Sequence, residues 1–299
     1  MDYFDKLMFE YYKVLNNSWK KEIREAALFS IKALSDIPKH ERINKKHIDD
    51  ILEVIKVNLG DDFASEVASD TKAYLKRCVM LGIQDSETMV KTSKIKVPSS
   101  VSIGLFGLKE QKLVNTLAEQ NLFWIGKHFD EDISNRFKTT LNEAIQSGYT
   151  RDMLADKLKE QFQDLGNKSE VYWQGLAEHT ALKVREFARL EGYQKAGVKY
   201  YKLVIILDDR TSDICRALAK EDKLYPLDVA IEVRDNLLEL DSKNQNLESA
   251  RDYIKALAPW VSGSQIVRDN NGNPTGVSGA HTPFPPFHWK CRTTTVIIY

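Results

Sequence analysis

The sequence predicts an α+β protein: a mostly helical N-terminal two-thirds followed by a small α+β domain with an antiparallel sheet. Three observations carry this reading. Apolar residues recur at spacings of three and four through most of the chain before residue 197. The period then breaks at Tyr200–Leu207 into a short apolar run rich in β-branched side chains, as a buried strand has. A second β-branched run, Thr293–Tyr299, closes the chain. Strands that come late and far apart in sequence pair antiparallel in a small sheet.

From the N-terminus, residues 1–91 read as a helical region. Tyr3, Phe4, Leu7, Met8, Tyr11, Leu15 and Trp19 form one apolar face, and Ile48, Ile51, Leu52 and Ile55 another. Gly60-Asp61-Asp62 reads as a stop followed by a cap before Phe63. Residues 92–108, with Pro98 and Ser99-Ser100, read as a connector or arm. Helical patterning returns at Lys109 and runs to about Gln146, where Gly148 ends it. Thr150 caps the next helix, with Met153, Leu154, Leu158 and Phe162 inward and Gly166 as its stop. A further helix runs from Ser169 to Lys195, ending at Ala196-Gly197. After the first strand come a turn at Asp208–Thr211, a short helix around Cys215, and helices at 227–240 and 246–257. Asp269-Asn270-Asn271-Gly272-Asn273 marks a hairpin tip.

Composition narrows the function classes. The chain has 299 residues, 42% of them apolar, enough for a sizeable core. Lys+Arg and Asp+Glu balance at 43 each, which argues against coating nucleic acid by bulk charge. The acidic, aromatic N-terminus does not read as a secretory leader, and no window has the apolar length of a membrane span. The expectation is a protein made in a cytoplasm, with no membrane partner. Three cysteines do not make a disulfide framework; Cys78, within a helical pattern, reads as a small core residue.

Two segments are specific. One is Leu207-Asp208-Asp209-Arg210-Thr211-Ser212-Asp213-Ile214-Cys215; the other is Pro285-Pro286-Phe287-His288-Trp289-Lys290-Cys291-Arg292. In order, with a helix before and a strand after, they resemble the MuF-like domain of phage head morphogenesis proteins. That pattern has Asp-x-Arg-Thr and a nearby Cys, then Pro-Pro-x-His-x-x-Cys-Arg leading into a last strand. The residues that carry the resemblance are Asp208, Arg210, Thr211, Cys215, Pro285, Pro286, His288, Cys291 and Arg292. The helix at Ala181–Gly197, with its Arg and Glu, is similar too. The resemblance is closest over 170–299 and sets the MuF-like domain at 109–299. It implies a minor head protein of a phage or prophage, made in the host cytoplasm and housed inside the virion head. Its implied partners are the portal protein and other capsid or scaffold components, with packaged DNA as a further contact. Residues 1–91 or the arm are then expected to carry the portal contact.

Cys215, His288 and Cys291 also invite chemistry. Thiolates with an imidazole suit zinc, and a closed site needs a fourth ligand; Ser212 is a poor one, and His281 and Asp213 are the alternatives. The bland reading is two half-buried thiols with a loop histidine and no cofactor; a Cys215–Cys291 disulfide is another. A Cys/His nucleophile would need the two groups within hydrogen-bond reach. Asp208-Asp209 as a nuclease-type pair is disfavoured, because neighbours on a strand face opposite ways. Local roles fit better: an aspartate caps the turn, and Arg210 and Arg292 staple the two segments through shared acids, with Pro285-Pro286 as a stiff extended approach. The expected role is therefore assembly without catalysis. The rivals are a capsid-packaged enzyme of nuclease or transferase type and a genome-binding protein.

Overall fold

A computed structural model describes residues 3–38, 41–128, 133–240 and 259–298. It is an α+β protein with its helices mostly N-terminal. The helices are α1 (Tyr3–Ser35), α2 (Lys45–Lys56), α3 (Phe63–Thr92), α4 (Leu108–His128), α5 (Ser134–Gln146), α6 (Arg151–Lys195), α7 (Asp213–Glu221) and α8 (Leu227–Glu239). The strands are β1 (Tyr200–Val204), β2 (Tyr225–Pro226), β3 (Ile266–Arg268), β4 (Pro274–Val277) and β5 (Thr294–Ile298). The helix expected at 246–257 lies outside the described residues. Two compact units form, each discontinuous in sequence: Met1–Thr71 with Asn121–Ala177, and Lys72–Gln120 with Glu178–Tyr299. Among the described residues no helix is long and apolar enough to cross a membrane.

In the first unit, α1 buries Leu7, Tyr11, Leu15, Trp19 and Ile23 at helical spacing. Trp19, Phe63 and Trp173 pack as an aromatic trio with ring centroids 5.0, 5.3 and 5.1 Å apart. Tyr11 shares its hydroxyl with Thr71 and accepts from Asn121. Tyr11 and Trp19 are thus core residues, whereas Tyr3 is exposed. Asn44 and His47 form a reciprocal capping box at the start of α2.

Two expected breaks in this unit are absent. A π-helical run, Val57–Asp62, carries α2 into α3 where a stop was expected. Leu59 and Phe63 are both fully buried, and that tertiary burial outweighs the local stop signal. Likewise α6 is one helix of 45 residues that runs through Gly166. Phe162, Leu165, Trp173 and Leu176 keep a continuous buried face across that glycine, whose helical cost is only about 1 kcal/mol. Thr150 accepts from the Met153 amide as expected, but the Met153 side chain is exposed. Gly148 ends α5 in a left-handed conformation: the Tyr149 amide bonds the Ala144 carbonyl, and the Gly148 amide bonds that of Ile145.

In the second unit, α3 and α6 approach backbone to backbone. A Cβ on Gly82 would lie 2.3 Å from the Arg185 carbonyl oxygen, and one on Gly192 would lie 2.0 Å from Ser86 Oγ. Asp85 accepts from Arg185 and Arg189 across this contact. The α6 helix ends at Gly197, again left-handed, with the Val198 amide on the Tyr193 carbonyl. Residues 93–107 carry no helix or strand. Within them Ile103 is buried and Leu105 is exposed.

The sheet has the order β2-β1-β5, antiparallel throughout, with Tyr201 opposite both Tyr225 and Ile297. The expected strand at Tyr200–Leu207 therefore pairs with the last strand, but it ends at Val204 and leaves Ile206 and Leu207 exposed. Helix α6 is fastened to β5 by Glu186, which accepts from Thr294 Oγ1 at 2.5 Å and Thr295 Oγ1 at 2.7 Å. Strands β3 and β4 form the expected hairpin; Asp269 Oδ1 accepts from the Asn271 and Asn273 amides, and Gly272 takes a positive φ.

Candidate functional site

The site forms where β1 leaves the sheet and where the chain re-enters it before β5. After Val204, the turn at Asp208–Thr211 is closed from within. The Arg210 amide donates to Asp208 Oδ1 at 2.9 Å, the Asp208 amide donates to Thr211 Oγ1 at 2.8 Å, and the Thr211 hydroxyl donates to the Ile206 carbonyl at 2.7 Å. Ser212 then caps α7 by accepting from the Cys215 amide at 3.2 Å. This cap fixes Cys215 in the first turn of α7.

The second segment turns at His288–Cys291, with Lys290 in the left-handed region at φ 58°. His288 Nδ1 lies 2.7 Å from the Trp289 carbonyl, which only accepts, so Nδ1 carries the proton. The Nε2 lone pair is left facing inward. Pro285 and Pro286 do not make the expected extended approach; the peptide bond between them is cis.

The two segments meet. Arg292 grips Asp208 with both guanidinium ends, at 2.8 and 2.5 Å. Arg210 is only at 4.0 Å from the same carboxylate and is largely exposed, so Arg292 supplies the staple. Beside it, His288 Nε2 lies 3.1 Å from Cys215 Sγ and 2.8 Å from Ser212 Oγ. Cys215 Sγ is 3.8 Å from Cys291 Sγ and 3.2 Å from Thr293 Oγ1. The ligand atoms of Cys215, His288 and Cys291 all lie within 4.8 Å of one another. Both thiols are buried, not half-buried, and belong to a cluster with Leu182, Leu218, Val261 and Phe287.

The electrostatics follow from that closeness. The Cys291 thiol is drawn below the usual thiol range, first by its hydrogen bond with Cys215 and then by His288, against the effect of burial. Cys215 is pushed far above the usual thiol range by the same bond and by burial. Burial works against a charged His288, but its bond to Cys291 and the charge there raise its pKa. Arg292 holds Asp208 well below the usual carboxylate range.

The alternatives for a fourth ligand are placed elsewhere: Asp213 pairs with Arg268 at 2.6 Å, and His281 Nδ1 faces the Thr282 carbonyl at 2.7 Å. The 3.8 Å sulfur separation is nearly twice a disulfide's ~2.05 Å, and the cysteines are free. Cys78 is a core thiol, pushed up to about 12 by burial. The cavity over the cluster, lined by Ile206, Thr211, Ser212, Cys215, His288 and Thr293 among others, holds about 10 Å³, roughly one water's worth.

Sequence reasoning passed over three contributors. Thr293 sits on Cys215, Glu186 ties α6 to β5, and Trp289 stacks on His179 with centroids 5.7 Å apart. The adjacent threonines at 293–295 were the available signal, since a β-strand alternates their faces. Comparison of the chain with models of protein families, with curated proteins and with solved structures gives no match.

Proposed function

We propose that this chain is a minor head protein of a tailed phage or prophage, acting by interaction with the portal and other capsid or scaffold components. The observation that carries the reading is the union of the two segments on which the MuF-like resemblance rests. Asp208 and Arg292, and Cys215 and His288, are far apart in sequence yet bond directly. The resemblance thus falls on residues that act together, as a family signature does. The balanced charge supports a protein partner over the packaged genome as the main contact.

A second reading has one observation in its favour. Cys215 Sγ and His288 Nε2 are within hydrogen-bond reach, the pairing a thiol nucleophile needs. Against it, Cys215 is buried, its pKa is raised, and the 10 Å³ cavity has no room for a substrate beyond water. The assembly role is therefore preferred.

The test is to induce the prophage or infect with the phage that encodes this chain, purify heads, and quantify the chain by mass spectrometry. A few copies per head, co-purifying with the portal, are expected. Absence from heads overturns the proposal.

A further inference from the structure

We propose that Cys215, His288 and Cys291 bind one zinc ion, which clasps the start of α7 to the turn before β5. The inference does not depend on the role in head assembly. It rests on the distances, on the orientation of the imidazole and on the closure of the site.

Two thiolates bound to zinc at ~2.3 Å in a tetrahedron stand about 3.8 Å apart, by the geometry of the tetrahedral edge. The Cys215 and Cys291 sulfurs are 3.8 Å apart. The matching edge between a thiolate and an imidazole nitrogen is about 3.6 Å. His288 Nε2 is 3.1 Å from Cys215 Sγ, so a movement of roughly 0.5 Å brings it to that edge. The imidazole is already oriented for it. Nδ1 is spent on the Trp289 carbonyl, the outer partner that metal-bound histidines use to fix their tautomer, and Nε2 faces Cys215 Sγ at 3.1 Å, with Cys291 Sγ within 4.8 Å of the group.

Charge and softness select the ion. Two thiolates and a neutral imidazole offset a divalent cation without residual charge, and a sulfur-nitrogen set favours zinc over magnesium or calcium. Binding releases the protons that the two thiols and His288 would otherwise share. The three donors leave a fourth position. A cavity of about 10 Å³ beside Cys215 and His288 admits one water, and Ser212 Oγ, 2.8 Å from His288 Nε2, lines it. The arrangement is a three-ligand site with one small open corner, set among Leu182, Leu218, Val261 and Phe287, which keep bulk water away.

The test uses the full chain, purified under reducing conditions without chelator from zinc-supplemented medium. Metal analysis is expected to return about one zinc per chain, in wild type and in Cys78→Ser alike. Cobalt(II) added to the stripped protein should give the intense ligand-field bands of a tetrahedral thiolate site. Cys291→Ser should lose both. Since that variant removes a buried group and can fail to fold, Ser212→Cys provides the complementary arm. It places a third sulfur at the open corner and should tighten zinc binding at least tenfold in a chelator competition. Absence of zinc and of the cobalt bands in folded wild type overturns the proposal. So does zinc retained by folded Cys291→Ser, or a Ser212→Cys variant that binds no more tightly than wild type.

Discussion

Arg292 holds Asp208 through both ends of its guanidinium, at 2.8 and 2.5 Å, and so joins the turn that follows β1 to the residue that leads into β5. The same carboxylate closes its own turn by accepting from the Arg210 amide. One aspartate therefore shapes a local turn and ties two segments 84 residues apart. A planar fork matched to a carboxylate does this; a point charge does not.

Arg292→Lys is accordingly expected to lower the melting temperature, although it keeps the charge. Asp208→Asn should do the same, and the double variant should lose less than the sum of the two. Equal melting of Arg292→Lys and wild type by calorimetry would show that the fork geometry is irrelevant. The Asp208 pKa is depressed, so its contribution is present above the unfolded carboxylate pKa of ~3.9 and is lost as pH falls toward the folded value.

Gly192→Ala tests the close approach of α6 to α3. Helix propensity alone predicts a gain of up to about 1 kcal/mol. The added Cβ would lie 2.5 Å from Ser86 Cβ, which no rotamer change relieves. The expected outcome is a loss of about 1–3 kcal/mol in urea unfolding, partly recovered by Ser86→Gly. A stabilised Gly192→Ala would refute the contact.

Glu186 is fully buried and binds Thr294, Thr295 and Arg189, whose side chain is itself almost wholly buried. Glu186→Ala leaves a buried guanidinium short of one acceptor and two hydroxyls without theirs. The expected cost is about 3–5 kcal/mol, with the loss concentrated in amide-exchange protection of β5. A cost under ~1 kcal/mol, typical of surface pairs, would remove Glu186 as the fastener of the last strand.

His179 predicts an acid-side instability. It packs against the rings of Trp260 and Trp289, which also touch each other, and burial lowers its pKa to about 3, with the charges of Lys183 and His288 adding to the effect. In the unfolded chain it titrates near ~6.5. Between those values the unfolded chain binds the extra proton, so stability is complete above ~6.5 and falls with pH by up to about 1.4 kcal/mol per unit. His179→Phe should flatten the slope between pH 7 and pH 5 in denaturant titrations. Parallel slopes for the variant and wild type would sink this account.

The α+β class, the positions of the first and last strands, the hairpin tip and the glycine stops at 148 and 197 were determined by the sequence itself. Each rests on a local cause: a change of period, a run of Asn and Gly, or a glycine where φ must be positive. The candidate site was legible as residue types but not as a geometry. Nothing in the spacing of Cys215, His288 and Cys291 states that their ligand atoms converge within 4.8 Å. Where local signals and burial competed, burial decided. Gly166 did not end α6 and Gly60-Asp61-Asp62 did not end the helical path, since Trp173 and Leu176 beyond the first and Phe63 beyond the second are buried along its continuation. The choice of Arg292 over Arg210 as the partner of Asp208 was likewise tertiary. Arg210 is two residues from Asp208 and Arg292 is 84 residues away, yet the fold brings Arg292 to 2.8 and 2.5 Å from the two carboxylate oxygens and leaves the exposed Arg210 at 4.0 Å.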